Sequence, residues 1–268
     1  MTGNYKTVVA LGSSFAAGPG IAPVENRWAR RSTRNYAHLV SQALGARLTD
    51  SSVSGATTAT ILNKSQRIGP QRFSPQIGAV TTDTDLVTVT AGGNDVNYLG
   101  EVLRVAVLNW LSAQRVTRRI GTRLIESHPV VPVSAGQFDE ASAGLERIVL
   151  ECRRRAPRSR VVLVDYPTLF DKDCAPGVLF RQDDIRHFQD IASGLSGAYA
   201  RAARRSGADL VAASDFEEGH GVGSDEPHVL GLERGHGTGA AFHPNLAGMK
   251  ATAAKILDVV NGATTPAY

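Results

Sequence analysis

The stretch Val8-Val-Ala-Leu-Gly-Ser-Ser14-Phe-Ala-Ala-Gly18 joins an apolar run to a turn made of small residues. Its first part, residues 7–11, predicts a buried β-strand. Because ligands of open α/β sheets bind at the carboxyl ends of the strands, Ser14 stands where chemistry usually takes place. Small neighbours would also let a substrate carbonyl group approach the backbone. Taken by itself, the stretch is explained better by Ser13 or Ser14 capping the helix that follows.

Outward from this stretch, apolar strand-like runs alternate with helical patterns. Strands are predicted at residues 7–11, 47–52, 86–90, 161–164 and 209–212, and helices at residues 35–44, 139–155, 184–205 and 245–260. Such alternation is typical of βαβ units around a parallel sheet. We therefore predict one α/β domain over residues 1–268. Two segments depart from the alternation: a helical insertion at about residues 99–135 and a glycine-rich loop at about residues 219–239.

The composition is that of an ordinary globular chain. Of its 268 residues, 42% are hydrophobic, and the net charge of +4 is too small to imply a nucleic-acid partner. No apolar run approaches the roughly 20 residues needed to cross a bilayer, and no secretory signal pattern opens the chain. We expect a cytoplasmic protein without stable membrane insertion, or a secreted one if a leader has been removed. Cys152 and Cys174 form no disulfide framework and are expected to be free thiols.

Two further loops carry groups that could stabilise an oxyanion. Ser52-Val-Ser-Gly55 follows the second predicted strand, and the amide of Gly55 is not obstructed by a side chain. Gly92-Gly-Asn94-Asp95 follows the third strand. The side chain of Asn94 could donate an N–H to the same oxyanion, while Asp95 is expected to fix the loop by accepting backbone hydrogen bonds. Each stretch taken alone is also an ordinary turn.

The fourth block, Phe242-His243-Pro-Asn, stands just before the last predicted helix. Histidine is the side chain whose ordinary pKa lies nearest neutrality, as a base that activates a serine requires. A lone histidine before a helix is more often structural or exposed. It is the combination of the four blocks, in one order and in one strand context, that is specific.

In combination the four blocks resemble those of the SGNH (GDSL-like) hydrolases, in their actinobacterial and fungal esterase and lipase branch. The resemblance extends from Val8 to the final helix, and it implies a three-layer α/β/α sandwich with a five-stranded parallel sheet. It also implies a serine esterase or lipase without a metal or organic cofactor. By position, Ser14 is the implied nucleophile that forms the acyl-enzyme, and His243 is the base. The amides of Ser14 and Gly55 and the side chain of Asn94 are the implied oxyanion donors.

Two positions depart from the family pattern. Ser13 stands where the first block usually has aspartate, and Ala240 stands three residues before His243, where an aspartate often orients the imidazole. Such an acid holds the ring in the right tautomer and stabilises the imidazolium. We therefore expect a serine–histidine dyad in which the backbone carbonyl of Ala240 orients the ring. A carboxylate from the glycine-rich loop, Asp225 or Glu226, is the alternative.

The substrate is less readable than the chemistry. Apolar side chains of the insertion could wall an acyl pocket, which favours a small-molecule or lipid ester; they are Val105, Leu108, Trp110 and Leu111. Carbohydrate O-deacetylation and acyl transfer stay open as alternatives because the same fold class hosts them. A non-catalytic relative and the oligomeric state stay open as well.

A metal site and a nucleic-acid or anionic-surface module have less support in the sequence. His220, His228 and His236 are spaced eight residues apart, which matches no standard ligand signature. Arginines cluster at residues 115–123 and 153–160, but no aromatic interleaving or binding motif accompanies them. We therefore expect neither a metal nor a nucleic-acid partner.

Overall fold

A five-stranded sheet lies at the centre of the structure, a computed structural model that describes residues 5–171, 180–232 and 240–262. The strands in these ranges are β1 (Thr7–Gly12), β2 (Val24–Asn26), β3 (Arg31–Ser32), β4 (Arg47–Asp50), β5 (Gln66–Ile68), β6 (Gln71–Phe73), β7 (Leu86–Thr90), β8 (Arg160–Val164) and β9 (Asp209–Val211). The α-helices are α1 (Ser14–Ala17), α2 (Tyr36–Leu44), α3 (Thr58–Leu62), α4 (Tyr98–Ala113), α5 (Arg118–Ser127), α6 (Ala135–Arg155), α7 (Gln182–Ser206), α8 (Ala213–Phe216) and α9 (Leu246–Val260). One 3₁₀ turn spans Gln76–Ala79.

The central sheet has the strand order β4-β1-β7-β8-β9, and every neighbouring pair is parallel. All residues of β1 and β7 are buried, as is typical of parallel strands covered on both faces. The five strands are those expected from the apolar runs, so the predicted fold class is confirmed. The hairpins β2–β3 and β5–β6 were not predicted, because two- or three-residue strands leave no periodic pattern.

Helices cover both faces of the sheet, and the side-chain alternation of β1 shows how. Val9 and Leu11 belong to an apolar core shared with α6 and α7. Val8 and Ala10 belong to a second core shared with α2 and α9. Successive residues of a strand point to opposite faces, so one apolar run fills both cores and produces the three-layer arrangement.

The predicted insertion contains α4 and α5, which pack closely against each other. A Cβ atom added to Gly121 of α5 would lie 2.4 Å from the backbone nitrogen of Ser112 in α4, so only glycine allows this approach. Within the described ranges, no helix combines the length and the apolarity needed to span a membrane. Cys152 is a buried free thiol, whereas Cys174 lies outside the described residues.

Candidate active site

Three of the four blocks meet at the carboxyl ends of β1, β4 and β7. Register places Gly12 beside Thr90 and Ala10 beside Asp50, so the loops that follow these strands emerge side by side. Hydrogen bonds join the loops directly: the Ser13 amide donates to the carbonyl of Thr90 at 2.9 Å, and the Val53 amide donates to the carbonyl of Gly12 at 3.0 Å.

Gly12, the last residue of β1, leaves no room for a side chain. A Cβ atom there would lie 2.6 Å from the carbonyl oxygen of Thr90. The buried side chain of Gln76 holds the backbone of Gly12 on both sides, because its Oε1 accepts the Gly12 amide at 2.7 Å and its Nε2 donates to the Gly12 carbonyl at 3.0 Å. The backbone immediately before the serine turn is therefore rigid.

Ser14 is the first residue of α1 and is 6% exposed. Ser13 precedes it in extended conformation and makes no side-chain capping bond to the helix. Its hydroxyl instead contacts the Tyr166 hydroxyl at 3.3 Å, and that hydroxyl accepts the amide of Gly93 at 3.0 Å. Helix capping therefore does not account for Ser13, whose side chain joins the serine turn to the loop after β7.

Ser14 lines a narrow crevice that is too tight in this structure to hold a water molecule. The lining residues are Ser13, Ser14, Phe15, Gly93, Asn94, Tyr98, Leu99 and Tyr166. The insertion thus reaches the cleft with the first turn of α4, and the expectation that Val105, Leu108, Trp110 and Leu111 would wall it was wrong. Val105 is in the core and Trp110 is 47% exposed, because α4 leads away from the cleft after its first turn.

Asn94 lies beside Ser14 in this cleft and is tied to the loop that carries Gly55. Its Nδ2 donates to the carbonyl of Ala56 at 2.8 Å, and because an amide nitrogen has two hydrogens, one remains for a ligand. Gly55 has a φ of +80° and is exposed, a conformation that glycine adopts readily. Both proposed donors therefore belong to adjoining, mutually bonded loops.

Asp95 holds these two loops together from behind. Its carboxylate accepts the Thr58 hydroxyl at 2.6 Å and the Thr58 amide at 3.1 Å, at the start of α3. Among the hydrogen bonds and ion pairs of the described residues, none joins Asp95 to His243. The structure gives Asp95 a loop-supporting position, and it does not orient the imidazole.

His243 is 3% exposed, and its ring lies 5.2 Å, between centroids, from the ring of Phe15, the neighbour of Ser14. Its Nδ1 lies 3.0 Å from the carbonyl oxygen of Ala241. A carbonyl can only accept, so Nδ1 carries the proton and Nε2 of the neutral ring is the acceptor. Nε2 is buried and has no hydrogen-bond partner within the described chain, Ser14 included.

Burial lowers the pKa of His243 to about 4, because an apolar environment disfavours the charged ring. The contact with the Ala241 carbonyl opposes this effect, and the positive charge of Arg30 adds to it. The imidazole is therefore a neutral base through the physiological range.

The group that orients His243 differs from the one expected. The carbonyl nearest Nδ1 belongs to Ala241, while the Ala240 carbonyl accepts the His243 backbone amide at 3.3 Å and contributes less to the ring. The turn places residue 241 beside the ring because Phe242 has a φ of +60°. Asp225 and Glu226 are exposed, and within the described residues neither bonds to His243.

An ion pair between a buried acid and a partly buried histidine supports the loop that carries His243. His228 Nδ1 lies 2.5 Å from Oε2 of Glu217, whose side chain is 2% exposed, and burial raises the pKa of Glu217 to about 7. The His228 carbonyl accepts the Asn245 amide at 2.8 Å. His220 stacks on His228 with centroids 4.0 Å apart.

His236, the third histidine of the zinc hypothesis, lies outside the described residues. Within the part of the chain that is described, no three metal-binding side chains come together.

Sequence reasoning missed the side chains that hold the catalytic loops. Besides Gln76 and Tyr166, these include Tyr199, whose hydroxyl accepts the Ala91 amide at 2.8 Å and donates to the Ala91 carbonyl at 2.5 Å. Tyr166 stands two residues after the predicted strand at residues 161–164, so its place at the carboxyl edge of the sheet was a usable signal. No comparable sequence signal pointed to Gln76 or Tyr199.

Comparisons with known proteins found matches over most of the chain. A model of the GDSL-like lipase/acylhydrolase family matches residues 10–251. Lipase 2 of Streptomyces coelicolor is 32% identical over 265 residues, which are 94% of this chain and 85% of that lipase.

Two solved structures share the fold. The extracellular lipase of Streptomyces rimosus has a TM-score of 0.68 at 22% identity, with 97% of this chain and 100% of that chain covered. Phospholipase A1 of Streptomyces albidoflavus NA297 has a TM-score of 0.69 at 21% identity, with 96% and 99% covered.

Proposed function

Because this chain belongs to the GDSL-like lipase/acylhydrolase family and is a carboxylic ester hydrolase, we propose that Ser14 is its nucleophile and His243 its general base. One observation carries the assignment. Nδ1 of the buried His243 is held by the Ala241 carbonyl, while Nε2 is unpartnered beside the helix that begins at Ser14. This tautomer and orientation are those that a base for a serine hydroxyl needs.

The reaction proceeds in two halves. Ser14 Oγ attacks the ester carbonyl carbon as its proton passes to His243 Nε2, and a tetrahedral oxyanion forms. The imidazolium then gives that proton to the leaving alkoxide oxygen as the C–O bond breaks, which leaves an acyl-enzyme. Water repeats the sequence, with His243 taking its proton, and frees the carboxylic acid and Ser14.

The loops after β1, β4 and β7 each supply one proposed hydrogen-bond donor to the oxyanion. The amides of Ser14 and Gly55 and the free N–H of Asn94 are the proposed donors, and the Asn94–Ala56 hydrogen bond fixes the position of the last. Donors held in place before the reaction stabilise developing charge without reorganising during it. The clamps on Gly12 and Gly93 contribute by limiting the motion of the same loops.

We assign an aliphatic ester as the substrate class. Among the described residues, no charged side chain lines the cleft, and Phe15, Tyr98, Leu99 and Tyr166 supply apolar surface next to the nucleophile. Such walls suit a neutral acyl group. The name of the curated relative reported above, Lipase 2, supports the same class. The narrowness of the crevice favours a short acyl chain at the reacting end.

The test is hydrolysis of p-nitrophenyl esters from acetate to palmitate by the wild type, Ser14→Ala and Ser13→Ala. A fluorophosphonate label, read by intact mass, reports the reactive serine independently of substrate choice. We expect turnover and a single adduct in the wild type and in Ser13→Ala, and neither in Ser14→Ala. An adduct that persists in folded Ser14→Ala would refute the assignment of the nucleophile, and highest turnover with palmitate would refute the preference for short chains.

A further inference from the structure

The insertion carries most of the large apolar side chains that are exposed in the described part of the chain. Seven large apolar side chains in that part of the protein are substantially exposed, and five of them lie between residues 107 and 131. These five, the insertion surface, are Val107, Trp110, Val116, Ile120 and Val131. Single exposed apolar residues are normal, but a set gathered in one segment marks an interaction surface. Val116, in the turn between α4 and α5, is 94% exposed.

Four arginines lie in the same segment as these side chains, against a single acid, Glu126 of α5. Arg115, Arg118, Arg119 and Arg123 are exposed, and none is in an ion pair within the described residues. No aspartate or glutamate occurs between residues 101 and 126. By contrast, Arg154 and Arg155 of the other arginine cluster both bond to Glu151. The segment that carries the insertion surface therefore combines exposed apolar side chains with a net positive charge.

We propose that the insertion surface docks this hydrolase onto an anionic lipid surface. A cationic helix with exposed tryptophan and aliphatic residues suits the boundary between lipid headgroups and acyl chains, where the arginines meet lipid phosphates and the apolar side chains enter the acyl region. A second copy of the chain is disfavoured because it would bring arginine against arginine. A nucleic acid would use the arginines but leave the apolar set exposed.

Docking there would bring the lipid surface to the catalytic end of the molecule along α4. Tyr98, the first residue of α4, lines the Ser14 cleft, and the helix of 16 residues spans about 24 Å to its outer end. A groove of about 470 Å³ runs beside it, with Asn97 and Val131 both in its wall. Val131 is also part of the insertion surface, so the groove connects that surface with the start of α4.

The role of docking in bringing lipid esters to Ser14 rests on the proposed function. Vesicle binding itself is measured without any hydrolysis. Binding is measured on full-length Ser14→Ala protein by co-sedimentation with sucrose-loaded vesicles, either of phosphatidylglycerol and phosphatidylcholine in equal parts or of phosphatidylcholine alone. The charge variant is Arg118→Gln/Arg119→Gln, and its control is Arg204→Gln/Arg205→Gln, an equally exposed pair on α7. The apolar variant is Ile120→Ser, and its control is Leu150→Ser, which alters a side chain of similar exposure on α6.

We expect binding to the anionic vesicles and weak binding to phosphatidylcholine alone. Each arginine near an anionic surface contributes about fivefold in affinity, so the insertion pair should lose about 25-fold, while the control pair loses little. Ile120→Ser should weaken binding more than Leu150→Ser. With Ser14 restored, the insertion variants should hydrolyse soluble p-nitrophenyl acetate as the wild type does.

Three outcomes would overturn the proposal. These are the absence of vesicle binding, equal losses in the insertion and control pairs, and a concentration-dependent dimer in sedimentation velocity that Ile120→Ser dissociates. Duplex DNA that competes fully with the vesicles would point to a nucleic-acid partner and would also overturn it. Vesicle binding by a protein whose wild type fails to hydrolyse any ester would leave docking intact and remove the proposed function instead.

Discussion

The pH dependence of ester hydrolysis is the most decisive consequence of the buried imidazole. Catalysis requires neutral His243, whose pKa burial lowers to about 4 from an ordinary value of about 6.5. At pH 5 the neutral fraction is then about 0.9, whereas an unperturbed histidine would be neutral in only about 0.03 of the molecules. The two cases differ by about 30-fold in kcat/KM at one pH.

The measurement is kcat/KM for a soluble short-chain ester between pH 3.5 and 8, with circular dichroism at each pH to confirm folding. We expect a plateau that extends down to about pH 5 and a fall centred near pH 4. Ionisation of Glu217, whose pKa burial raises to about 7, cannot mimic this fall. That carboxyl group is already protonated at pH 5, and its folded state is favoured there. A midpoint near 6.5 in folded protein would refute the deduction that His243 is buried and uncharged.

The lowered pKa of His243 also determines how this residue makes the free energy of unfolding depend on pH. The folded-state pKa is below the unfolded one, so between about pH 6.5 and 4 the unfolded chain binds the extra proton and stability falls as the pH falls. The shift of about 2.5 pKa units corresponds to about 3 kcal/mol in the free energy of unfolding. Burial raises the pKa of both Glu217 and Asp165 to about 7, which acts in the opposite sense. His243→Ala should therefore make stability, measured by urea denaturation, fall less or rise more than in the wild type as the pH drops from 6.5 to 4. An unchanged profile would exclude His243 as its source.

Further predictions concern the groups around the serine. Asn94→Ala should lower kcat by about 10²–10³ because an oxyanion donor is lost, with Asp95→Asn as the control for loop disorder; near-wild-type turnover would remove Asn94 from the scheme. Tyr166→Phe should lower the free energy of unfolding in urea by about 1–3 kcal/mol, because the buried Gly93 amide loses its acceptor, and an unchanged value would show that water replaces the hydroxyl. Gly12→Ala should abolish turnover and destabilise the fold, because its Cβ would lie 2.6 Å from a backbone oxygen; a folded, active variant in the same two assays would contradict that packing.

The sequence was sufficient to predict the strands and the site residues that directly follow them, because apolar runs mark the strands and the ends of the strands fix where the next residues lie. The run at residues 7–11 predicts β1, and in a parallel sheet the residues after β1, β4 and β7 must converge, so Ser14, Gly55 and Asn94 could be expected near one another. What could not be read was how each loop is held. Gln76 reaches Gly12 from a 3₁₀ turn, and no periodicity marks such a residue.

The insertion shows a different limit. Its apolar residues predict a helix correctly, but periodicity alone does not tell which partner a helix faces. Trp110 was expected at the acyl pocket, yet it lies near the far end of α4, where it is 47% exposed. The residues that reach the cleft, Tyr98 and Leu99, were too close to the Asn94 block to be separated from its loop.

The orienting group of His243 can be understood from the cost of burying charge. A carboxylate at the position of Ala240 would have to be desolvated beside a ring that is itself 3% exposed, and desolvation of a charge is costly even when the charge is paired. The carbonyl of Ala241 fixes the same tautomer without a net charge. Its position depends on the loop backbone, which the Glu217–His228 pair anchors through Asn245. This chain thus has a buried carboxylate one layer from the base, and it acts there on the scaffold and not on the imidazole.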